Sequence, residues 1–106
     1  MMLSISAEEL KTRLEAGQTP VMLDVREEWE FEICNIAGSV NISMSDTDKM
    51  LETLNPDNET VVICHHGMRS FQVASFLKEN GFNNIMNLEG GVDSWAKTVD
   101  STMAQY

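Results

Sequence analysis

Apolar positions along this chain fall into short runs separated by polar turns, and their spacing switches repeatedly between that of a helix and that of a strand. Ser6-Ala7-Glu8-Glu9 is a capping box, Ser6 placed to accept from an early helical N–H and Glu9 to reach back, so it predicts a helix from Ala7 to about Ala16 that Gly17 stops. After Pro20, Val21-Met22-Leu23 has the continuous apolar character of a buried parallel strand and ends on the polar group Asp24-Val25-Arg26. Glu27 to Ile33 predicts a short acidic helix with Trp29 and Ile33 on one face and its carboxylates in solvent rather than paired for catalysis. Ile36 to Ile42 follows as turn and strand. Asp46 to Leu54 carries Met50, Leu51 and Leu54 at helical spacing, and Asn55-Pro56-Asp57 ends that helix.

Thr60-Val61-Val62-Ile63 is the strongest strand signal in the chain and is expected at the centre of the sheet. Ser70 opens a helix to about Asn80 with Val73, Ala74 and Leu77 on one face, and Gly81 closes it. Asn84 to Leu88 is a last strand, Gly90-Gly91 a tight turn, and Val92 to about Val99 a final helix anchored by Trp95. Strands alternating with helices in this way predict an α/β fold, a central parallel β-sheet flanked by helices on both faces. With 106 residues and no internal repeat or linker, the expectation is a single domain over 1–106, its core over about 6–99 and residues 100–106 fraying.

Charge narrows the partners. There are 17 acidic residues against 7 basic ones, a formal net charge of −10, so the far field repels nucleic acid and anionic membrane surfaces, and neither is expected as a partner. An anion site would have to come from local backbone N–H groups and one or two placed cations. No apolar stretch suits a membrane span, and the start lacks the basic and apolar regions of a signal peptide, so a cytoplasmic location is expected. Cys34 and Cys64 lack the spacing of a zinc site or a secreted disulfide framework, which leaves at least one free thiol.

The chemistry concentrates in Val61-Val62-Ile63-Cys64-His65-His66-Gly67-Met68-Arg69-Ser70. A cysteine at the end of the central strand, followed within five residues by a helix, forces a curled loop whose N–H groups point at the sulfur, and the helix dipole adds positive potential. Both favour thiolate over thiol. Gly67 supplies a conformation with φ > 0 and room for whatever sits on the sulfur. Arg69 is placed either to fold over this cradle as a fixed cation or to brace the loop through hydrogen bonds. His65 and His66 suggest metal, but adjacent histidines on a tight loop should project apart and no third ligand is evident; donors at the mouth of the site are the simpler reading, with no metal or other cofactor. Met68 is apolar and covers the rim.

With these residues in view, the chain resembles a rhodanese-like domain over Ser6 to Trp95. Four segments carry the resemblance: Leu23-Asp24-Val25-Arg26-Glu27 with Trp29, Glu30 and Phe31; Ile36-Ala37-Gly38-Ser39-Val40-Asn41-Ile42; Cys64 to Ser70; and Leu88-Glu89-Gly90-Gly91 with Trp95. The resemblance implies a thiosulfate sulfurtransferase-type enzyme. Cys64 would take sulfane sulfur from a small anionic donor such as thiosulfate, or from a protein persulfide, hold it as a persulfide within the cradle of His65, His66, Gly67, Met68 and Arg69, and pass it to cyanide, a thiol or a protein acceptor. By the same resemblance Asp24 and Arg26 are supports behind the loop, and the Gly-Gly turn and Trp95 are architectural. The chain departs from the family where Gly-His commonly precedes the Ile-x-Gly motif, since Cys34-Asn35 stand there. Cys34 is therefore either a resolving or relay thiol or simply packed.

Two other functions compete. Cysteine-dependent phosphatases and arsenate reductases share a thiolate in an anion-binding loop, but the phosphatases have one residue more than the four between Cys64 and Arg69, and no aspartate general acid is identifiable. A non-catalytic module, whether a redox sensor or a persulfide carrier dedicated to one partner, is the other alternative.

Overall fold

The computed structural model describes residues 2–106. Its elements run β1 (Leu3–Ile5), α1 (Ala7–Glu15), β2 (Val21–Asp24), α2 (Glu28–Ile33), β3 (Val40–Asn41), α3 (Thr47–Thr53), β4 (Thr60–Ile63), α4 (Met68–Glu79), β5 (Ile85–Leu88) and α5 (Gly91–Thr98). The five strands form one parallel sheet in the order β1-β5-β4-β2-β3, with β4 in the middle as its run of β-branched residues predicts. The capping box that starts α1 forms as expected, Glu9 N–H donating to Ser6 Oγ and Ser6 N–H to Glu9 Oε1.

Side-chain alternation along β4 divides the core in two. Val61 and Ile63 pack with Ile5, Leu10, Leu88, Val92 and Trp95, and so beneath α1 and α5. Val62 and Cys64 face the other way, packing with Met50, Val73, Ala74 and Leu77 of α3 and α4. The parallel sheet is thus covered on both faces, which is the expected α/β arrangement. Among the described residues no helix is long and apolar enough to cross a membrane.

Three elements differ from the sequence expectation. β1 carries no strand signal of its own and exists because Leu3, Ser4 and Ile5 pair with Met86, Asn87 and Leu88. α4 begins at Met68 rather than Ser70, so the connection after β4 shortens to Cys64–Gly67 and Arg69 lies in the helix's first turn. In α2 the burial is reversed: Trp29 and Ile33 are exposed while Glu30 is buried.

From β2 the chain moves to β3 on one side, and from β4 to β5 on the other, so the carboxyl ends of β2 and β4 flank a point where the winding reverses. Crevices in open parallel sheets form at such points. Arg26 and Cys64 sit just past these two strand ends.

Candidate active site

Cys64 leaves β4 with its side chain buried, and the loop after it closes over the sulfur. Gly67 stands at φ +108°, a left-handed conformation that costs a glycine little, and its N–H donates to Cys64 Sγ at 3.0 Å. Ser70, in the first turns of α4, brings its hydroxyl to 3.2 Å from the same sulfur. Its orientation is set from β5: Ser70 Oγ donates to Asn87 Oδ1, and Asn87 Nδ2 donates to Gly67 O at 3.0 Å. Neither Ser70 nor Asn87 was singled out as a site residue from sequence. The available signal for Asn87 is a polar side chain inside the otherwise apolar run Ile85-Met86-Asn87-Leu88.

The other side of the loop is held by α5. Val92 N–H donates to Cys64 O at 2.9 Å and Asp93 N–H to His65 O at 3.0 Å, so the loop carbonyls turn toward the α5 N-terminus. This approach requires Gly91. A Cβ there would fall within contact distance of the Cys64 and His65 backbone oxygens, and Gly91 also has φ +58°. The Gly-Gly turn, expected to be architectural, is in contact with the loop that carries Cys64.

Arg69 does not fold over the sulfur. Its guanidinium makes two 2.8 Å bonds to the carboxylate of Glu30, the bracing alternative of the two left open by sequence. The bonds from Arg69 outweigh burial and lower the Glu30 pKa from 4.5 to about 2, while Glu30 raises that of Arg69. The acidic helix is therefore not wholly a solvated face, because one of its carboxylates is the anchor for α4.

Asp24 and Arg26 form a fully buried ion pair with Nη2 to Oδ2 at 2.7 Å. Arg26 also donates to Glu30 O at 3.2 Å, Cys34 O at 2.6 Å, Cys34 Sγ at 3.7 Å and the Tyr106 hydroxyl at 2.8 Å. Burial opposes its charge, but the bonds to Asp24 and Tyr106 more than offset this and raise its pKa. Cys34 is buried against this guanidinium, and both cysteines are free thiols.

Residues 100–106, expected to fray, end on a side chain that is tied into this network. Tyr106 donates to Glu30 Oε1 at 2.9 Å, and its ring stacks on His65 with centroids 4.1 Å apart and planes 9° from parallel. Burial raises the pKa of the phenol. His65 and His66 do not project apart as the sequence suggested: their rings stack at 4.0 Å, and burial together with the neighbouring His66 lowers the His65 pKa. Cys64, His65, His66, Met68 and Arg69 line a small cavity of about 160 Å³. The expected cradle residues are thus brought together, with Asp24 and Arg26 one layer away.

The chain matches the model of the rhodanese-like domain over residues 6–98. It belongs to the rhodanese-like family. It is 42% identical over 91 residues to "Putative sulfurtransferase YtwF" of Bacillus subtilis, a match covering 86% of this chain and 87% of that protein. It is 32% identical over 88 residues to the thiosulfate sulfurtransferase GlpE of Pseudomonas fluorescens, covering 83% and 81% of the two. A rhodanese-related protein from Thermoplasma volcanium has the same fold with a TM-score of 0.81 at 37% identity, covering 92% of this chain and 93% of that one. The chain spans 49% of one longer curated relative and 27% of another. Sulfur transfer is the general activity that this membership supports for the rhodanese-like chain.

Two outcomes follow from the geometry. Gly91→Ala should destabilise the protein by about 2–4 kcal/mol, since positive φ and a backbone collision act together; an unchanged urea midpoint would refute the close approach. Glu30→Gln should cost about 2–3 kcal/mol at neutral pH. The folded Glu30 pKa lies below its ordinary value, so this stabilisation is present above about pH 4.5 and is lost as the pH falls through about 2. The stability gap between parent and variant should close over that window in urea titrations, and a gap that stayed constant would contradict the Arg69 pairing.

Proposed function

We propose that this chain is a thiosulfate sulfurtransferase-type enzyme in which Cys64 is the nucleophile and carries the transferred sulfur as a persulfide. The Cys64 thiolate attacks the sulfane sulfur of the donor. With thiosulfate, the donor S–S bond breaks and sulfite leaves with its electron pair. Cyanide or a thiolate then attacks the outer sulfur, the persulfide S–S bond breaks, and the Cys64 thiolate returns. No net oxidant or reductant is needed.

The observation that carries this reading is the Gly67 N–H donating to Cys64 Sγ at 3.0 Å, with the Ser70 hydroxyl 3.2 Å from the same sulfur, beside a cavity of about 160 Å³. A preorganised N–H donor stabilises charge that develops on the sulfur, and the cavity leaves room for an added sulfur atom beside it. His65, His66, Gly67, Met68 and Arg69 form the wall around it. Arg69 is tied to Glu30, so the loop offers a dianionic donor few free cations and a protein persulfide remains an equally suitable donor. Met68, 78% exposed and lining the cavity, gives the loop mouth an apolar edge that suits a protein acceptor. Similarity to GlpE supports thiosulfate as a donor, and a reducing cytoplasm is the compartment in which such a free thiol would persist.

Incubation with thiosulfate should add one sulfur atom to the intact protein, and cyanide should remove it as thiocyanate. Cys64→Ser should abolish both steps; thiocyanate formation by that variant at the parental rate would sink the assignment. Cys34→Ser should keep most of the activity, because Cys34 faces Arg26 rather than the cavity. A loss of about a hundredfold, near 2.7 kcal/mol on the barrier scale, in a folded Cys34→Ser protein would instead mark Cys34 as a relay thiol.

A further inference from the structure

The reason for setting metal aside in the sequence was that His65 and His66 should diverge and lack a third partner. The fold removes both objections. The two rings stack at 4.0 Å and 28°, and α5 delivers Asp93 beside them, with His66 Nε2 4.0 Å from Asp93 Oδ2. One ligand atom from each of His65, His66 and Asp93 lies within 4.8 Å of the other two. Among the described residues, neither imidazole has a hydrogen-bond partner closer than that 4.0 Å approach, so their nitrogens remain available.

We propose that His65, His66 and Asp93 form a three-ligand site for a divalent metal of zinc's class, clamping the reactive loop to the first turn of α5. This lies outside the sulfur-transfer reading and stands or falls without it. Two imidazoles and a carboxylate are a donor set that zinc accepts, and three protein ligands leave a fourth position open. Ligand atoms around one tetrahedral zinc are about 3.4 Å apart, so the His66–Asp93 pair at 4.0 Å must close by about 0.6 Å and no pair by more than about 1.4 Å. The His66 side chain is 65% exposed, while the backbones of His65 and Asp93 are already fixed to each other by the Asp93 N–H to His65 O bond of 3.0 Å.

Two further features bear on occupancy. The net charge of −10 raises the local concentration of cations around the protein. The competing cation is Lys97, whose Nζ lies 3.0 Å from Asp93 Oδ2. Exposed pairs of this i,i+4 kind contribute little, and a metal held by two further ligands displaces the lysine. The position of the site beside the cavity also means that a bound metal restrains the loop that carries Cys64 without using its sulfur.

The test is a calorimetric titration with zinc chloride of the untagged Cys64→Ser protein, a variant that lacks the neighbouring loop thiol as a ligand. One zinc per chain should bind, with a rise in Tm. Asp93→Ala and His66→Ala, each placed in the Cys64→Ser background, should weaken binding at least tenfold, and Lys97→Ala should tighten it by removing the competitor. Circular dichroism of the metal-free variants confirms that each is folded. Absence of binding at stoichiometric protein concentrations, or binding unaffected by both Asp93→Ala and His66→Ala in folded protein, would overturn the proposal. Neither result alters the sulfur-transfer assignment, which is read on the parent protein without metal.

Discussion

The close approach of Gly91 to the backbone after β4 is the constraint on which the loop carrying Cys64 depends. Because no Cβ intervenes, the first turn of α5 reaches the carbonyls of Cys64 and His65 and binds them with its own N–H groups. Turning those carbonyls toward α5 leaves the Gly67 amide free to turn to the sulfur. A loop with its carbonyls aimed inward would repel negative charge on Cys64; this one presents donors instead. Gly67 then needs its own left-handed conformation, and Asn87 holds the Gly67 carbonyl out of the cavity.

Charge pairing fixes the remaining wall. Glu30 would be costly to bury alone, and Arg69 on α4 makes its burial tolerable by pairing with it through two hydrogen bonds. Arg26 and Asp24 do the same one layer deeper, and Tyr106 links the two pairs by accepting from Arg26 and donating to Glu30. The Tyr106 ring continues the line to His65. α2, α4 and the loop are therefore held in register by ionised groups whose removal one at a time leaves a buried charge without its partner.

Much of this was legible in the sequence, and the failures share one cause. The central strand, the turn after it and the apolar face of α4 each carry local signals, and they formed as those signals indicate. Ser6 and Glu9 announced α1 in the same way. β1, by contrast, is defined by pairing with β5, more than eighty positions away in the register Ser4 to Asn87. Glu30 reads as a surface carboxylate until Arg69 is brought to it, and the shared face of Trp29 and Ile33 proves to meet solvent. Asp93 and Tyr106 reach the loop only through the fold. Local spacing could not place any of these four contacts, whereas Cys64, Gly67 and Arg69 stand out because strand, turn and helix adjoin within one short stretch.

The family supplies sulfur transfer as the general activity, and the arrangement around Cys64 supplies a physical reason why a sulfur anion would rest there. The most direct test of that link is a crystal structure of the protein after brief exposure to thiosulfate. The account predicts one extra sulfur atom bonded to Cys64 Sγ, lying in the cavity bounded by His65, His66, Met68 and Arg69, with the Gly67 N–H still turned toward the Cys64 sulfur. An unmodified Cys64 alongside added sulfur on Cys34, or a loop whose carbonyls have turned inward around the sulfur, would contradict it.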